Sequence, residues 1–159
     1  MSQTGTTIRF VNENTIDWQA VSIDDTGVGG GVSDRLREQG YRINAVKLGE
    51  TARDSNKFTN RRAENYWKVK EWINQGGKLD PDCDWSELLE IKYKTDSSGK
   101  LKIMSKDEMR ARGVESPDVA DALMLSFDSS YSPHVKRQLD TFKQKMLLKN
   151  KQKIGLRMA

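Results

Sequence analysis

Four aspartates stand where carboxylates do chemistry. Asp24 and Asp25 follow directly on the apolar run Ala20-Val-Ser-Ile23, and Asp118 and Asp121 lie three residues apart in Ser116-Pro-Asp-Val-Ala-Asp-Ala-Leu123. In parallel α/β sheets, sites gather beyond the carboxyl ends of strands, and Asp24 is at such an end. Its side chain should point opposite to that of Ile23, with Asp25 placed by the turn that follows. On a helix, a spacing of three puts Asp118 and Asp121 on one face, one turn apart. Acids at a strand end and along a packed helix suit a site where two hard cations clamp a phosphate and activate water. Mg2+ takes such oxygen ligands and keeps several waters. Plainer alternatives stay open. An Asp beside glycine commonly caps the next turn, and Asp118 in a first helical turn is favoured by the helix dipole. Asp121 is further in, borders the apolar stripe and needs a partner, of which a divalent cation is one.

Other chemistries find little support. The run Gly27-Val-Gly-Gly-Gly31 lacks the sixth-position glycine of a dinucleotide fingerprint, where Val32 stands, and the Gly-Lys-Ser/Thr of a P-loop. Two carboxylates sit where a phosphate would have to come. A lone Cys83 forms no intrachain disulfide and no cysteine zinc site. Its neighbours in Asp80-Pro-Asp-Cys-Asp84 oppose a thiolate, which argues against pairing it with His134, the single histidine.

The elements that must carry these acids can be read from pattern. Ala20–Ile23 reads as a strand, the glycines as a turn, Val32 to Gln39 as a helix stopped by Gly40, and Tyr41–Leu48 as a second strand. That is a βαβ unit, whose strands should lie parallel. Ile8–Val11 reads as a short strand. Asn60 should cap a helix reaching Asn74, with Gly76-Gly77 ending it. Trp85 to Glu90 reads as a short helix, and Ile91–Thr95 with Leu101–Met104 flank a hairpin turn at Asp96–Gly99. Ser105 to Glu108 spells a capping box. Pro117 opens a last helix reaching about Phe127, with Val119, Ala122, Leu123 and Ser126 expected to pack inward. The fold class is α/β.

The chain has 159 residues, 35% of them hydrophobic and 31% charged, with four Trp, four Tyr and four Phe for a modest core. No apolar stretch approaches the roughly 20 residues that span a bilayer, and Met1-Ser-Gln-Thr-Gly is no signal peptide. Neither a membrane partner nor secretion is expected. Residues 134–159 hold eight Lys/Arg against Asp140, a net of +7 out of a chain total of +4, so the first 133 residues carry −3. An acidic body with a basic tail suits a protein that handles polyanions. A solvated terminal helix is the plainer reading of the tail.

Three blocks, Ile23–Leu36, Asn60-Arg-Arg-Ala-Glu-Asn-Tyr-Trp67 and Ser116–Leu123, together resemble the nuclease domain of the large terminase subunit of tailed bacteriophages. The likeness spans roughly residues 20–128. It implies a ribonuclease H-like fold, a mixed sheet flanked by helices, and metal-dependent endonucleolytic cutting of concatemeric double-stranded DNA during packaging. By resemblance, Asp24 and Asp121 are catalytic acids holding Mg2+ or Mn2+, with Asp118 as auxiliary ligand. Asp25 joins the ligand set, although the family often has an apolar residue there. The Ile91–Met104 hairpin resembles one near the family's active site, which assigns Lys100 and Lys102 to DNA, and the basic tail adds Lys136 and Arg137. Exposed hairpin lysines also simply protect a sheet edge. Arg61, Arg62 and Glu64 match a family block, but are expected to form a solvated helix face.

The resemblance also implies the host bacterium's cytoplasm as location, and a portal protein and small terminase subunit as partners. The expected organisation is an N-terminal segment 1–19, a partial nuclease domain 20–130 and a basic tail 131–159. The family's first strand and its catalytic Asp are expected to be missing, whether by excision or by truncation of a prophage gene, since Asp17 is a poor stand-in. That leaves the isolated chain expected to be inactive, with an open sheet edge that invites self-association. Two alternatives remain: a non-catalytic DNA-binding or assembly module, and another ribonuclease H-like nuclease such as a junction resolvase.

Overall fold

The computed structural model describes residues 2–26 and 28–128. The elements in chain order are α1 (Gln3–Glu13), β1 (Ser22–Asp24), α2 (Val28–Glu38), β2 (Asn44–Val46), α3 (Arg61–Asn74), α4 (Glu87–Glu90), β3 (Tyr93–Thr95), β4 (Leu101–Ile103), α5 (Lys106–Arg110) and α6 (Asp118–Ser126). The strands pair two by two, β1 with β2 and β3 with β4, rather than joining in one mixed sheet among the described residues. No described helix is long and apolar enough to cross a membrane.

The βαβ unit forms in the predicted order, but the glycines are not its turn: Gly29, Gly30 and Gly31 lie in the first turn of α2, which starts at Val28 rather than Val32. β1 and β2 run parallel with Ser22 opposite Asn44 and Asp24 opposite Val46, joined by α2, which ends before Gly40 at φ +84°. A Cβ on Gly29 would fall 1.8 Å from the Asp24 carbonyl oxygen. Glycine is what lets α2 start this close to the strand end. The expected strand at Ile8–Val11 is instead the C-terminal part of α1, capped by Ser2, whose hydroxyl accepts from the Gly5 N–H at 3.2 Å. Four alternating residues are too few to outweigh a side-chain cap and the burial of Val11.

The main core joins Val46 and Leu48 to Tyr66 and Val69 of α3 and to Ala120 and Met124 of α6. α3 starts where Asn60 accepts from the Ala63 N–H at 2.9 Å. The inward face of α6 is Ala120, Asp121 and Met124, not the expected set: Val119, Ala122 and Ser126 are exposed and Leu123 is half-buried. The helix begins one residue later than Pro117 in first position implies, with Pro117 as its N-cap.

The hairpin has two unlike faces. Tyr93, Leu101 and Ile103 turn to α3, where the Tyr93 ring meets Trp67 edge-on at 5.4 Å between centroids. Lys94 and Lys102 stand directly opposite one another on the other face. Like charges across a pair are unfavourable, and Glu108 of α5 relieves this one by pairing with Lys94. α5 carries the predicted capping box, with Ser105 Oγ accepting from the Glu108 N–H at 3.1 Å and Glu108 Oε2 from the Ser105 N–H at 2.8 Å.

Candidate active site

α6 lies against both α3 and β1, which brings the helix carrying Asp121 beside the strand that ends in Asp24. Asp24 Oδ1 accepts from the Thr26 N–H at 3.2 Å and its hydroxyl at 2.5 Å. The capping role is therefore real, and it engages one oxygen. Asp24 lines a cleft of about 430 Å3 together with Asn60, Arg62, Lys102, Ser105 and Lys106. A carboxylate thus faces three cations across one opening.

Asp121 is 8% exposed and fully engaged. Its Oδ1 accepts from the Tyr66 hydroxyl at 2.6 Å and from Arg62 Nη2 at 3.2 Å, and its Oδ2 lies 3.0 Å from Lys106 Nζ. Burial pushes this carboxyl up, but the Tyr66 hydrogen bond and the charges of Arg62 and Lys106 outweigh it and hold it below the usual range. Burial and the neighbouring Asp121 charge push the Tyr66 phenol far above its ordinary value. Arg62 is steered by a second bond, from Nη1 to the Met104 carbonyl at 2.9 Å, and lies over the Tyr66 ring at 5.1 Å.

The other expected site residues lie elsewhere. Asp25 turns to α2, where it accepts from the Ser33 hydroxyl and lies 3.9 Å from Arg37. Asp118 is exposed at the start of α6. Lys102 lines the cleft; Lys100 belongs to the hairpin turn, its N–H bonded to Asp96 Oδ1 at 2.9 Å. Lys136 and Arg137 fall outside the described residues.

The solvated face expected of Arg61, Arg62 and Glu64 is overturned. Arg61 and Arg62 side chains are 16% and 12% exposed, and Glu64 is buried, accepting from the Arg53 N–H at 2.7 Å and pairing with Lys68 at 2.8 Å. Arg61 bonds Asp128, 1% exposed, at 2.9 Å, and Arg53 and Asn65 bond the same carboxylate at 3.2 and 3.1 Å. A signal for this exists in the sequence. Two arginines in the first turn of a helix oppose its dipole, as does an acid just past the end of another. Such residues need partners of opposite charge.

A metal finds no ready ligand set here. Among the described residues, no three Asp, Glu, His or Cys side chains converge, and both Asp121 oxygens already meet cations or a hydroxyl. The donors that do converge on the cleft suit an anion.

No protein-family model matches this sequence, and comparison with curated proteins returns no match. Solved structures do match. The nuclease domain of the large terminase subunit gp2 of bacterial virus Sf6 is 25% identical, with a TM-score of 0.63 over 80% of this chain and 72% of that one. A lysine-to-alanine mutant of that domain with manganese gives 25% identity and a TM-score of 0.62, covering 82% and 72%. The same mutant with calcium gives 25% and 0.61, covering 82% and 71%. The resemblance carried by the three sequence blocks thus extends to the three-dimensional structure.

Proposed function

Because this chain resembles, in sequence and in fold, the nuclease domain of a phage large terminase subunit, we propose that it is a DNA-cutting module of a phage packaging machine. The observation that carries the reading is the single cleft in which the Asp24 carboxylate faces Arg62, Lys102 and Lys106. Arg62 fixes the positive charge at the base of the cleft, because Met104 and Asp121 hold its plane and engage Nη1 and Nη2, which leaves direct phosphate contact to the lysines. Lys102 and Lys106 add charge without fixed direction. Double-stranded DNA is the substrate, held by its backbone, so affinity falls steeply with salt. A portal protein, a small terminase subunit and the cytoplasm of a bacterial host complete the reading.

Cutting with Mg2+ or Mn2+ at a two-metal centre, with Asp24, Asp121 and Asp118 as ligands, is the finer form of this proposal. It rests on the likeness to structures solved with manganese and calcium. The described carboxylates do not converge into that ligand set, and no chemical step is assigned to the metal.

Plasmid nicking at low salt with Mn2+ tests the reading, comparing the chain with Asp24→Asn and Asp121→Asn, each checked for folding by circular dichroism. Loss of nicking in folded variants that still bind DNA supports the nuclease. A second reading, a DNA-binding or assembly module without catalysis, is favoured by the neutralisation of Asp121 by Arg62 and Lys106. It predicts no nicking by the chain itself, with salt-dependent binding that survives both substitutions.

A further inference from the structure

Among the described residues, an apolar groove of about 300 Å3 runs between α3, α4 and the hairpin. Its walls include Val69 and Ile73 of α3, Leu88 and Leu89 of α4, and Ile91 and Tyr93. Three of these side chains stand open, with Leu89 73%, Tyr93 54% and Ile73 39% exposed. Scattered apolar residues on a surface are ordinary, but large ones gathered along one groove mark a place for a partner. The groove lies on the α3-facing side of the hairpin, away from Lys102 and Lys106 in the cationic cleft.

The border of the groove is acidic. Between Lys78 and Lys92 the chain carries Asp80, Asp82, Asp84, Glu87 and Glu90 and no Lys or Arg. Glu87 is engaged, accepting from the Ala120 N–H at 2.9 Å. Asp80, Asp82, Asp84 and Glu90 are exposed and join no ion pair among the described residues. Lys70, a cation of the lining, is drawn back over the Trp67 ring at 4.0 Å and the Tyr93 ring at 4.8 Å. An apolar floor with an acidic border is complementary to a basic amphipathic segment.

The chain itself contains such a segment. Beyond Pro133, Val135, Leu139, Phe142 and Met146 follow one another at intervals of four, three and four, the spacing of one helix face. Lys143 and Lys145 fall on either side of that face, and Asp140 is the single acid from 134 to 159. Phe127 packs on Trp72 of α3 at 5.5 Å between centroids, and Asp128 accepts from Asn65 of the same helix at 3.1 Å. The described chain therefore ends on the helix that walls the groove. Residues 129–134 can reach roughly 20 Å, against a helix diameter of about 10 Å. A tether that short gives an effective concentration in the millimolar range, which favours the chain's own segment over that of a second copy.

We propose that residues 135–146 dock in this groove as a helix, with Val135, Leu139, Phe142 and Met146 on the apolar floor and the flanking lysines toward the acids of 80–90. Docking keeps the basic segment on the far side of the hairpin from the cationic cleft. The proposal does not depend on DNA being the substrate.

Cys83, the single cysteine, is exposed in the loop that leads into α4, so it can carry a nitroxide beside the groove of the full chain. Broadening of the Leu139 and Phe142 amide signals is expected in dilute solution. Phe142→Asp changes the tail alone, and Leu89→Lys changes a side chain that is 73% exposed, so the body should keep its chemical shifts in both. Each should sharpen the two signals by lowering the docking equilibrium constant at least about tenfold. Leu89→Met, and Leu148→Asp on the opposite helix face, should leave the broadening in place. A mixture of nitroxide-labelled chain with isotope-labelled chain free of nitroxide reads contacts between copies. Signals that stay sharp in the labelled chain, broadening that survives both Phe142→Asp and Leu89→Lys, or equal broadening between copies overturns the proposal.

Discussion

Lys106 Nζ lies 3.0 Å from Asp121 Oδ2, while Arg62 and the Tyr66 hydroxyl hold the other oxygen of the same carboxylate. The two cations differ in what they can do next. Arg62 is fixed by the Met104 carbonyl and is 12% exposed, whereas Lys106 is 43% exposed and free to swing on its stem. Lys106 is therefore the contact that a DNA phosphate can recruit without disturbing the core.

Lys106→Ala should change stability by less than about 1 kcal/mol, since its pair is partly exposed. DNA binding should weaken by a similar factor for every sequence, and the slope of log affinity against log salt should drop by about one. Fluorescence anisotropy over a salt series checks both. A variant with an unchanged slope removes Lys106 from the DNA contact.

The Asp121–Tyr66 pair sets limits on pH. The folded pKa of Asp121 is lowered, so its contribution is present above the unfolded carboxyl value and is lost as pH falls through the folded one. The folded pKa of Tyr66 is raised, so its contribution holds below the unfolded phenol value of about 10 and erodes as pH rises past it. Urea unfolding against pH should show an acid limb below about pH 4 and an alkaline limb above about pH 10. Tyr66→Phe should flatten the alkaline limb and cost about 1–3 kcal/mol at neutral pH by leaving Asp121 short of a donor.

Asp128→Asn should be among the most damaging single changes. It leaves Arg61, 16% exposed, facing a neutral group in place of a buried carboxylate that also holds Arg53 and Asn65. A loss of about 3–5 kcal/mol is expected in denaturant melts. A loss under about 1 kcal/mol would show that the cluster is already well hydrated.

Gly29→Ala should move Asp24. The added Cβ would fall 1.8 Å from the Asp24 carbonyl oxygen, and the neighbour that must yield is backbone. A cost of about 1–3 kcal/mol is expected from the overpacking, with chemical-shift changes at Asp24 and Thr26. Gly31→Ala, where nothing lies within 4 Å, is the control and should gain a few tenths of a kcal/mol from helix propensity.

Local signals carried most of the fold. The Asn60 cap, the Ser105 capping box, the glycine at 40 and the hairpin turn each act over a few residues, and each forms where the sequence places it. The face a helix turns inward is less legible than its ends. On α6 the apolar pattern pointed to Val119 and Ala122, but the space beside α3 is filled by Ala120, Met124 and a carboxylate. Apolar periodicity cannot announce a buried Asp whose partners, Arg62 and Lys106, are 59 and 15 residues away in sequence. For the same reason Asp24 and Asp121 were legible as acids with work to do, while the cations that answer Asp121 were not. Charges set against their own helix dipole, as at Arg61 and Arg62, are the one local clue to such pairings.

The hairpin turn has a reach beyond its size. Asp96 Oδ1 accepts from the Ser98 N–H, the Ser98 hydroxyl and the Lys100 N–H at 2.7–2.9 Å. That knot fixes which residue of β4 opposes which of β3. A slip by one position would carry Lys102 into the aromatic packing against α3 and turn Ile103 outward in its place. The turn is thus a register lock on the sign of the cleft, and Asp96→Ala should soften DNA binding from a position that never meets the phosphate.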